Sequence, residues 1–572
     1  MTELPHPFPA VSCDLLVIGS GAAGLAAAVT AAWHGLHVIV VEKDPVLGGA
    51  TAWSGGWMWI PCNPLARRAG IHEDPSEPRR YLEHELGDRF DPARIDAFLK
   101  AGPEMVSFFE THTALQFADG NAIADIHGDT PGAGTGGRSV IAAPISAYGL
   151  GTLLPRLRRT MRETAVMGMP IMAGADLAAF LSVTRSWRSA LHVARRFGAH
   201  LLGLAIKGRA THLVNGVALV ARLAKSAEAL GVVLWPGAPA TRLIRQDERI
   251  AGAEVATAKG TVRIHARQGV VLAAGGFPHD NARRQALFPR TPTGEEHLPL
   301  PPAGASGDGL RLAESVGAVV ADDLASPAAW CPVSRVPYPD GSYGHFPHII
   351  DRGKPGVFGV LANGERFVNE ADGYYDYAKA MVEQAPGQEV VSWLICDHAF
   401  LRRYGLGIAR PFPFPVEPAV RSGYLKTGAT IGELARNCGI DPEGLTRTLT
   451  QWNQHAALGE DPQFGRGRSA YNRKQGDPRH SPNPCVAPLD TPPYYAVEVR
   501  PGSFGTFAGL KTDASARVLD AHGEPIAGLY AAGADMASIM GGFYPAGGIN
   551  LGPAMTFGYI AGRHAAGITD NP

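Results

Sequence analysis

Cysteine is scarce in this chain. Its 572 residues hold six, Cys13, Cys62, Cys331, Cys396, Cys438 and Cys485, and none form a C-x-x-C pair. A zinc or iron–sulfur site is therefore not expected, and the pattern fits a reducing compartment. Charge is low as well, at 18% of residues, where about a quarter is usual. Lys+Arg 52 against Asp+Glu 53 leave a net charge of −1, which argues against a nucleic-acid partner held by bulk electrostatics. No run is long and apolar enough for a membrane span. The start MTELPHPFPA lacks a basic n-region and an apolar h-region, so no secretory signal is expected. There is no fixed-period repeat and no Gly-x-y period, which excludes collagen.

What is abundant is glycine and proline. Gly 70 and Pro 46 make up about a fifth of the chain, well above the roughly 12% of an average protein. The hydrophobic fraction of 45% is globular, so this excess is not disorder. Length allows about two to four domains.

The glycines cluster where chemistry is expected. Asp14-Leu-Leu-Val-Ile18 reads as an apolar strand, followed by Gly19-Ser20-Gly21-Ala22-Ala23-Gly24 and a small-residue helix to Trp33. A second strand, His37 to Val41, ends in Glu42-Lys43. This is a βαβ unit of about 30 residues carrying a dinucleotide fingerprint. Gly19 permits the tight turn, Gly21 lets backbone approach a pyrophosphate, and Gly24 allows helix–sheet packing. The helix N-terminus offers N–H groups to phosphate. Glu42 is placed to accept from a ribose, and its charge disfavours a 2′-phosphate.

The stretch Gly48-Gly49-Ala-Thr51-Ala-Trp-Ser54-Gly55-Gly56 separates FAD from NAD, because its backbone donors and small hydroxyls suit a second approach to phosphate and flavin. Ala273-Ala274-Gly275-Gly276, Gly307-Asp308-Gly309 and Gly533-Ala-Asp535 agree with it. Residues 269–276 read as a buried strand ending in glycines, 216–230 as an amphipathic helix and 232–235 as a strand. From 291 to 486 the texture turns to proline-rich loops with aromatics.

This constellation resembles the flavoprotein family that includes fumarate reductases and 3-ketosteroid dehydrogenases, over nearly the full chain. The resemblance implies an α/β fold. A Rossmann-like FAD-binding domain (1–290, with a helical insert at about 150–212) is completed by the C-terminal segment (487–572), and an inserted α+β catalytic domain spans 291–486. It implies backbone contact from Ala240 to the adenine, and Asn550 and Leu551 at a helix N-terminus facing the flavin O2. That helix end would stabilise negative charge on reduced flavin. Some relatives attach FAD through a His just after the acid; no His lies between Lys43 and Trp59, so non-covalent FAD is expected.

Relatives that reduce dicarboxylates carry an Arg after the Asn-Glu of a G-x-R-F-x-N-E stretch. Here Gly364-Glu-Arg-Phe-Val-Asn-Glu370 continues as Ala371-Asp-Gly-Tyr374-Tyr375-Asp-Tyr377. The tyrosines resemble the ketosteroid branch, in which such a Tyr is the general base. Tyr374 matches, with Tyr375 as the neighbouring alternative. Gly542-Phe-Tyr544-Pro-Ala-Gly-Gly548 and the following Gly552-Pro-Ala-Met-Thr-Phe-Gly558 resemble that branch too. Tyr544 and the Gly548 N–H would polarise a substrate carbonyl. A Tyr with an ordinary pKa near 10 is a poor base at neutral pH, so Tyr374 is expected to need a neighbouring donor or cation. One element departs from the branch: Thr130-Pro-Gly-Ala-Gly-Thr-Gly-Gly-Arg-Ser139 is recognisable, but the preceding Y-Y-P is replaced by Ile126-His127-Gly128. His127 stands as the substitute donor. The departure leaves 1-dehydrogenation, 4-dehydrogenation and a related cyclic ketone open.

Residues 155–209 form a basic, apolar-studded insert that includes Arg185, Arg188, Trp187, Leu191, Arg195, Arg196 and Lys207. Contact with an anionic lipid interface is one reading. A cap packed on the protein or a subunit contact is the other. The expected partners are a small apolar ketone and an unidentified electron acceptor, with no metal. The expected compartment is the cytoplasm, with peripheral contact at the inner face of the membrane. The rival functions are a flavin-dependent reductase of an activated C=C bond and a non-enzymatic flavoprotein sensor or scaffold.

Overall fold

The computed structural model describes residues 10–172 and 174–568. The first half of the chain contributes β1 (Ala10–Ile18), α1 (Ala22–Trp33), β2 (Val38–Glu42), α2 (Ser76–Leu86), α3 (Ala175–Leu181), α4 (Trp187–Lys207), α5 (Asn215–Ala229), β3 (Val233–Pro236), β4 (Ala240–Gln246), β5 (Arg249–Thr257) and β6 (Gly260–Leu272). The second half contributes β7 (Ala328–Pro337), β8 (Tyr343–Pro347), β9 (Val357–Val360), α6 (Tyr374–Gln384), β10 (Ser392–Asp397), β11 (Leu425–Gly428), β12 (Tyr494–Thr506), β13 (Arg517–Leu519), β14 (Pro525–Ala531) and α7 (Leu551–Ala565).

The first sheet runs β13-β14-β6-β1-β2-β3, with β5 and β4 extending from β6. From β14 to β3 the pairing is parallel. Parallel strands are covered on both faces, which explains their nearly continuous apolar runs; Leu15, Leu16 and Val17 are wholly buried. β14 comes from the far end of the chain, so the C-terminal segment completes this sheet. α7 lies close on α1 because small residues of both helices meet at the contact. A Cβ on Gly558 would stand 2.4 Å from the Ala23 carbonyl oxygen, and one on Gly562 2.7 Å from that of Ala27.

The second sheet runs β8-β7-β12-β10-β9, with β11 also on β12. The chain therefore returns to the first sheet only after Thr506, because the long β12 pairs with β7, β10 and β11.

The insert is less helical than its composition implies. Residues 147–156 form short 3-10 turns broken at Gly151, and 157–172 are largely irregular. Pro155 and Pro170 interrupt helical hydrogen bonding there. Among its described residues only α3 and α4 are regular helices, and they pack on each other.

Candidate active site

A cavity of about 980 Å³ gathers most of the candidate residues. Of the residues singled out for the cofactor, Gly19, Ser20, Gly21, Ala22, Ala23, Glu42, Lys43, Gly49, Thr51, Ser54, Gly55, Gly56, Ala240, Ala274, Gly275, Asp308, Gly533, Asn550 and Leu551 border it. The same wall carries Tyr374, Tyr544 and Gly548. Gly24, Gly48, Gly276 and Asp535 stand behind the lining. Gly24 packs against the turn, where a Cβ would fall 2.0 Å from the Gly19 oxygen. The Gly48 N–H donates to Ser20 Oγ (2.9 Å). Asp535, fully buried, accepts from the N–H groups of Ala274 (2.6 Å) and Gly276 (2.8 Å). Burial outweighs these bonds and pushes its carboxyl up to about 6.

The phosphate-side geometry differs from expectation in one respect. The Ala22 N–H at the start of α1 donates to Thr51 Oγ1 (2.9 Å), and the Ser20 N–H donates to Glu42 Oε2 (3.0 Å). Thr51 and Glu42 thus brace the loop, and fewer helix N–H groups than expected face the cavity. Glu42 also accepts from Ser20 Oγ (2.6 Å) and the Asp44 N–H (2.9 Å). Lys43 Nζ donates to Asp308 Oδ2 and Ser306 Oγ, both at 2.7 Å. Burial raises the Asp308 carboxyl, but Lys43 and Arg311 outweigh it and hold it below its usual range.

The wall is close-fitting because it is made of glycine and backbone. A Cβ on Gly19, whose φ is +109°, would lie 2.1 Å from the Ala273 oxygen. One on Gly56 would lie 2.7 Å from Asn215 backbone. These cradles and the α7 N-terminus supply donors, and Glu42 an acceptor, in an arrangement suited to an extended dinucleotide.

At the tyrosine end, Tyr374 opens α6 and is buried. Its ring meets those of Tyr544 (5.0 Å between centroids, 75°) and Phe504 (5.2 Å, 76°) edge-on. Tyr375 points elsewhere: its hydroxyl donates to the Gly542 carbonyl (2.9 Å), and it does not border the cavity. Asn550 Nδ2 donates to the Tyr544 hydroxyl (3.3 Å). Burial raises the Tyr374 phenol well above its ordinary value, and Tyr544 and Tyr471 raise it further. Burial also raises Tyr544, with the neighbouring Tyr374 hydroxyl opposing the rise.

The donor or cation expected beside Tyr374 is therefore not supplied by His127. That ring faces Glu85 Oε2 (2.5 Å) and Asp376 Oδ2 (3.2 Å) and lies outside the large cavity. The residue missed in the sequence is Tyr471, which borders the cavity beside the other two tyrosines. It sits in a short helix, Ala470–Gln475, with no motif to mark it. The G-x-R-F-x-N-E stretch proves to be internal scaffolding. Glu370 is fully buried between Arg366 (2.8 Å) and Arg466 (3.0 Å), and Arg366 also pairs with Asp461 (2.9 Å). Arg352 donates to the Glu370 carbonyl (2.7 Å), so the loop leading into Tyr374 is tied down. Among the described residues no arginine and no histidine borders the cavity, whereas Lys354 and Lys474 do.

Residues 14–551 match the family model described as FAD binding domain. The chain belongs to that family. This flavoprotein is 38% identical to the 4-oxocyclohex-2-ene-1-carboxylate 5-dehydrogenase of Sinomonas cyclohexanicum, over 97% of this chain and 94% of that protein. It is 35% identical to the 3-oxosteroid 1-dehydrogenase of Mycobacterium tuberculosis, over 97% and 98%. Its fold matches the crystal structure of the 3-ketosteroid Δ1-dehydrogenase of Sterolibacterium denitrificans in complex with 1,4-androstadiene-3,17-dione. There the TM-score is 0.90 at 34% identity, covering 98% of this chain and all of that one. The flavoprotein is an FAD-dependent oxidoreductase with the fold of the ketosteroid dehydrogenases.

Proposed function

We propose that this flavoprotein introduces a C=C bond beside a ketone in a steroid-like ring, with 3-ketosteroid 1-dehydrogenation as the first reading. The observation that carries it is the edge-on pair Tyr374–Tyr544 next to Gly548 on the wall of the cofactor cavity. The Tyr544 hydroxyl and the Gly548 N–H polarise the ketone oxygen, where enolate charge develops. Tyr374 accepts the proton from the adjacent carbon. Its burial makes the phenolate, once formed, a strong base. FAD, when bound non-covalently, supplies the acceptor for the hydride that leaves the β-carbon. The domain limits that fit this division of labour are a FAD-binding part at 1–290 and a catalytic part from 291 that keeps β12, so the C-terminal FAD-binding part begins after Thr506 and not at the 487 expected from sequence. 4-Dehydrogenation uses the same groups and remains within the proposal.

A second reading is a smaller cyclic ketone that bears a carboxylate. It is supported by Lys354 and Lys474 on the cavity wall and by the Sinomonas relative. A dicarboxylate reductase is disfavoured, because its gripping arginines have no counterpart on this wall.

The exposed face of α4 bears on delivery of an apolar substrate. Trp187 (72% exposed), Leu191, Leu202 and Ile206 line it, and Arg185, Arg188, Arg195 and Lys207 are exposed nearby. Arg196 is different, since it pairs with Asp176 (3.2 Å) and the Pro170 carbonyl (3.0 Å). α3 borders the cavity through Leu177 and Leu181. A peripheral anionic lipid contact through α4 fits this arrangement. No described helix is long and apolar enough to cross a membrane. Flotation with anionic vesicles that is unchanged in Trp187→Ala/Arg195→Ala would reject the contact.

Anaerobic mixing of the holoenzyme with androst-4-ene-3,17-dione, and separately with 4-oxocyclohex-2-ene-1-carboxylate, tests the two readings. Bleaching of the oxidised flavin by the first compound supports the first reading, and bleaching by the second alone supports the second. Bleaching by neither, with fumarate turned over by reduced enzyme, sinks both.

A further inference from the structure

His127 is absent from the cavity wall, yet it touches the supports of both tyrosines. Its Nδ1 faces Glu85 Oε2 at 2.5 Å and its Nε2 faces Asp376 Oδ2 at 3.2 Å. Ionised carboxylates only accept, so both ring nitrogens carry hydrogen and the ring is an imidazolium. Glu85, on α2, is held from its other oxygen by Thr130 Oγ1 (2.6 Å). Asp376 lies in the first turn of α6, two residues after Tyr374, and that helix has no side-chain N-cap of its own. On the other side, the Ile126 N–H donates to the Pro545 carbonyl (3.0 Å), which also accepts from the Tyr81 hydroxyl of α2 (2.7 Å). Pro545 directly follows Tyr544. Residues 126–127 thus join the backbone beside one tyrosine to the first turn of the helix that carries the other.

We propose that His127 is a positioning residue: clamped between Glu85 and Asp376, it fixes the first turn of α6 and holds Tyr374 in register with Tyr544. This rests on reading Tyr374 and Tyr544 as the reacting pair. A cation is required at this point because Asp372 and Asp376 crowd the same turn. Burial raises the Asp372 carboxyl to about 6, with Asp376 adding to the rise and His127 opposing it. Without the imidazolium, Asp376 has no cationic partner in this cluster and faces the Asp372 side.

The test measures single-turnover flavin bleaching at saturating ketone, together with KM, flavin content and thermal midpoint. It compares wild type, His127→Ala, His127→Gln, His127→Arg and Tyr374→Phe. Misplacement of a reacting group by about 1 Å costs on the order of a hundredfold, so the Ala and Gln variants are expected to bleach about 10- to 100-fold more slowly. Their KM and flavin content should stay near wild type. His127→Arg, whose fork spans two carboxylates, is expected to recover most of the rate. A rate within twofold of wild type in His127→Gln, or a loss that Arg does not restore, overturns the proposal. Should Ala fail to fold, the Gln and Arg pair decides alone. If Tyr374→Phe is inactive while His127→Gln is normal, only the positioning role falls. If Tyr374→Phe turns over normally, the reading of the tyrosine pair falls instead.

Discussion

The Tyr374 ring stands edge-on to that of Tyr544, with centroids 5.0 Å apart and planes at 75°, although 170 positions separate the two in sequence. The contact places a buried phenol beside a second hydroxyl, which in turn accepts from Asn550 at the start of α7. The proposed proton acceptor and the proposed carbonyl-polarising hydroxyl thereby border the same cavity.

If Tyr544 polarises the carbonyl as proposed, Tyr544→Phe should lower kcat by about 10²- to 10³-fold, the usual cost of losing an oxyanion donor. Flavin content, read from the visible spectrum, should stay unchanged. Loss of flavin in parallel with activity would assign Tyr544 to cofactor binding instead.

The Tyr374 phenol is held well above its ordinary value, first by burial and then by Tyr544 and Tyr471. In the proposed mechanism the active form is the phenolate, which is the minority form at neutral pH. The rate of flavin reduction should therefore climb with pH without a plateau in the neutral range. Stopped-flow measurement across pH checks this, and a pH-independent rate from pH 6 to 9 would contradict it.

Gly548 adopts a φ of +103°, and a Cβ there would lie 2.7 Å from the Trp59 backbone nitrogen. Gly548→Ala must strain the backbone and displace the Trp59–Gly548 hydrogen bond (3.2 Å). It is expected to weaken flavin retention, read from the visible spectrum, and to lower the thermal midpoint; unchanged values for both would contradict this.

Arg366 is buried between Glu370 and Asp461. Arg366→Met leaves two carboxylates short of their counter-charge, and breaking a buried pair costs about 3–5 kcal/mol. Denaturant unfolding should show a loss of that order. A change under about 1 kcal/mol would mean that Arg466 alone satisfies Glu370.

Burial disfavours the His127 imidazolium, but its bonds to Asp376 and Glu85 win and raise its pKa from 6.5 to about 10. A raised basic group stabilises the fold fully below about pH 6.5, and this contribution is lost as pH rises through about 10. The stability gap between wild type and His127→Gln should be widest in acid and neutral solution and close above pH 10. With 36% of the side chain exposed, solvent screening keeps this gap small.

Much of the cofactor half was legible in the sequence. The glycine fingerprint, the acid after the second strand and the 48–56 stretch have mechanical meaning at short range, and most of those residues border the cavity. Gly24, Gly48, Gly276 and Asp535 act from behind the wall, because spacing shows that a turn exists but not which of its faces meets the ligand. The insert at about 150–212 is helical at α3 and α4, while Gly151, Pro155 and Pro170 interrupt its first part.

The sequence by itself determined the βαβ unit, the glycine clusters and the two tyrosine motifs, since each follows from neighbours within a few residues. Only the tertiary structure placed Tyr374 on the cavity wall and Tyr375 off it, because the Gly542 carbonyl that engages Tyr375 lies 167 positions away. It alone brought Tyr471 to the same wall and turned His127 from Tyr374 toward Glu85 and Asp376. These contacts depend on how β12 threads the second sheet and how α7 closes on α1. No local pattern encodes such long-range packing.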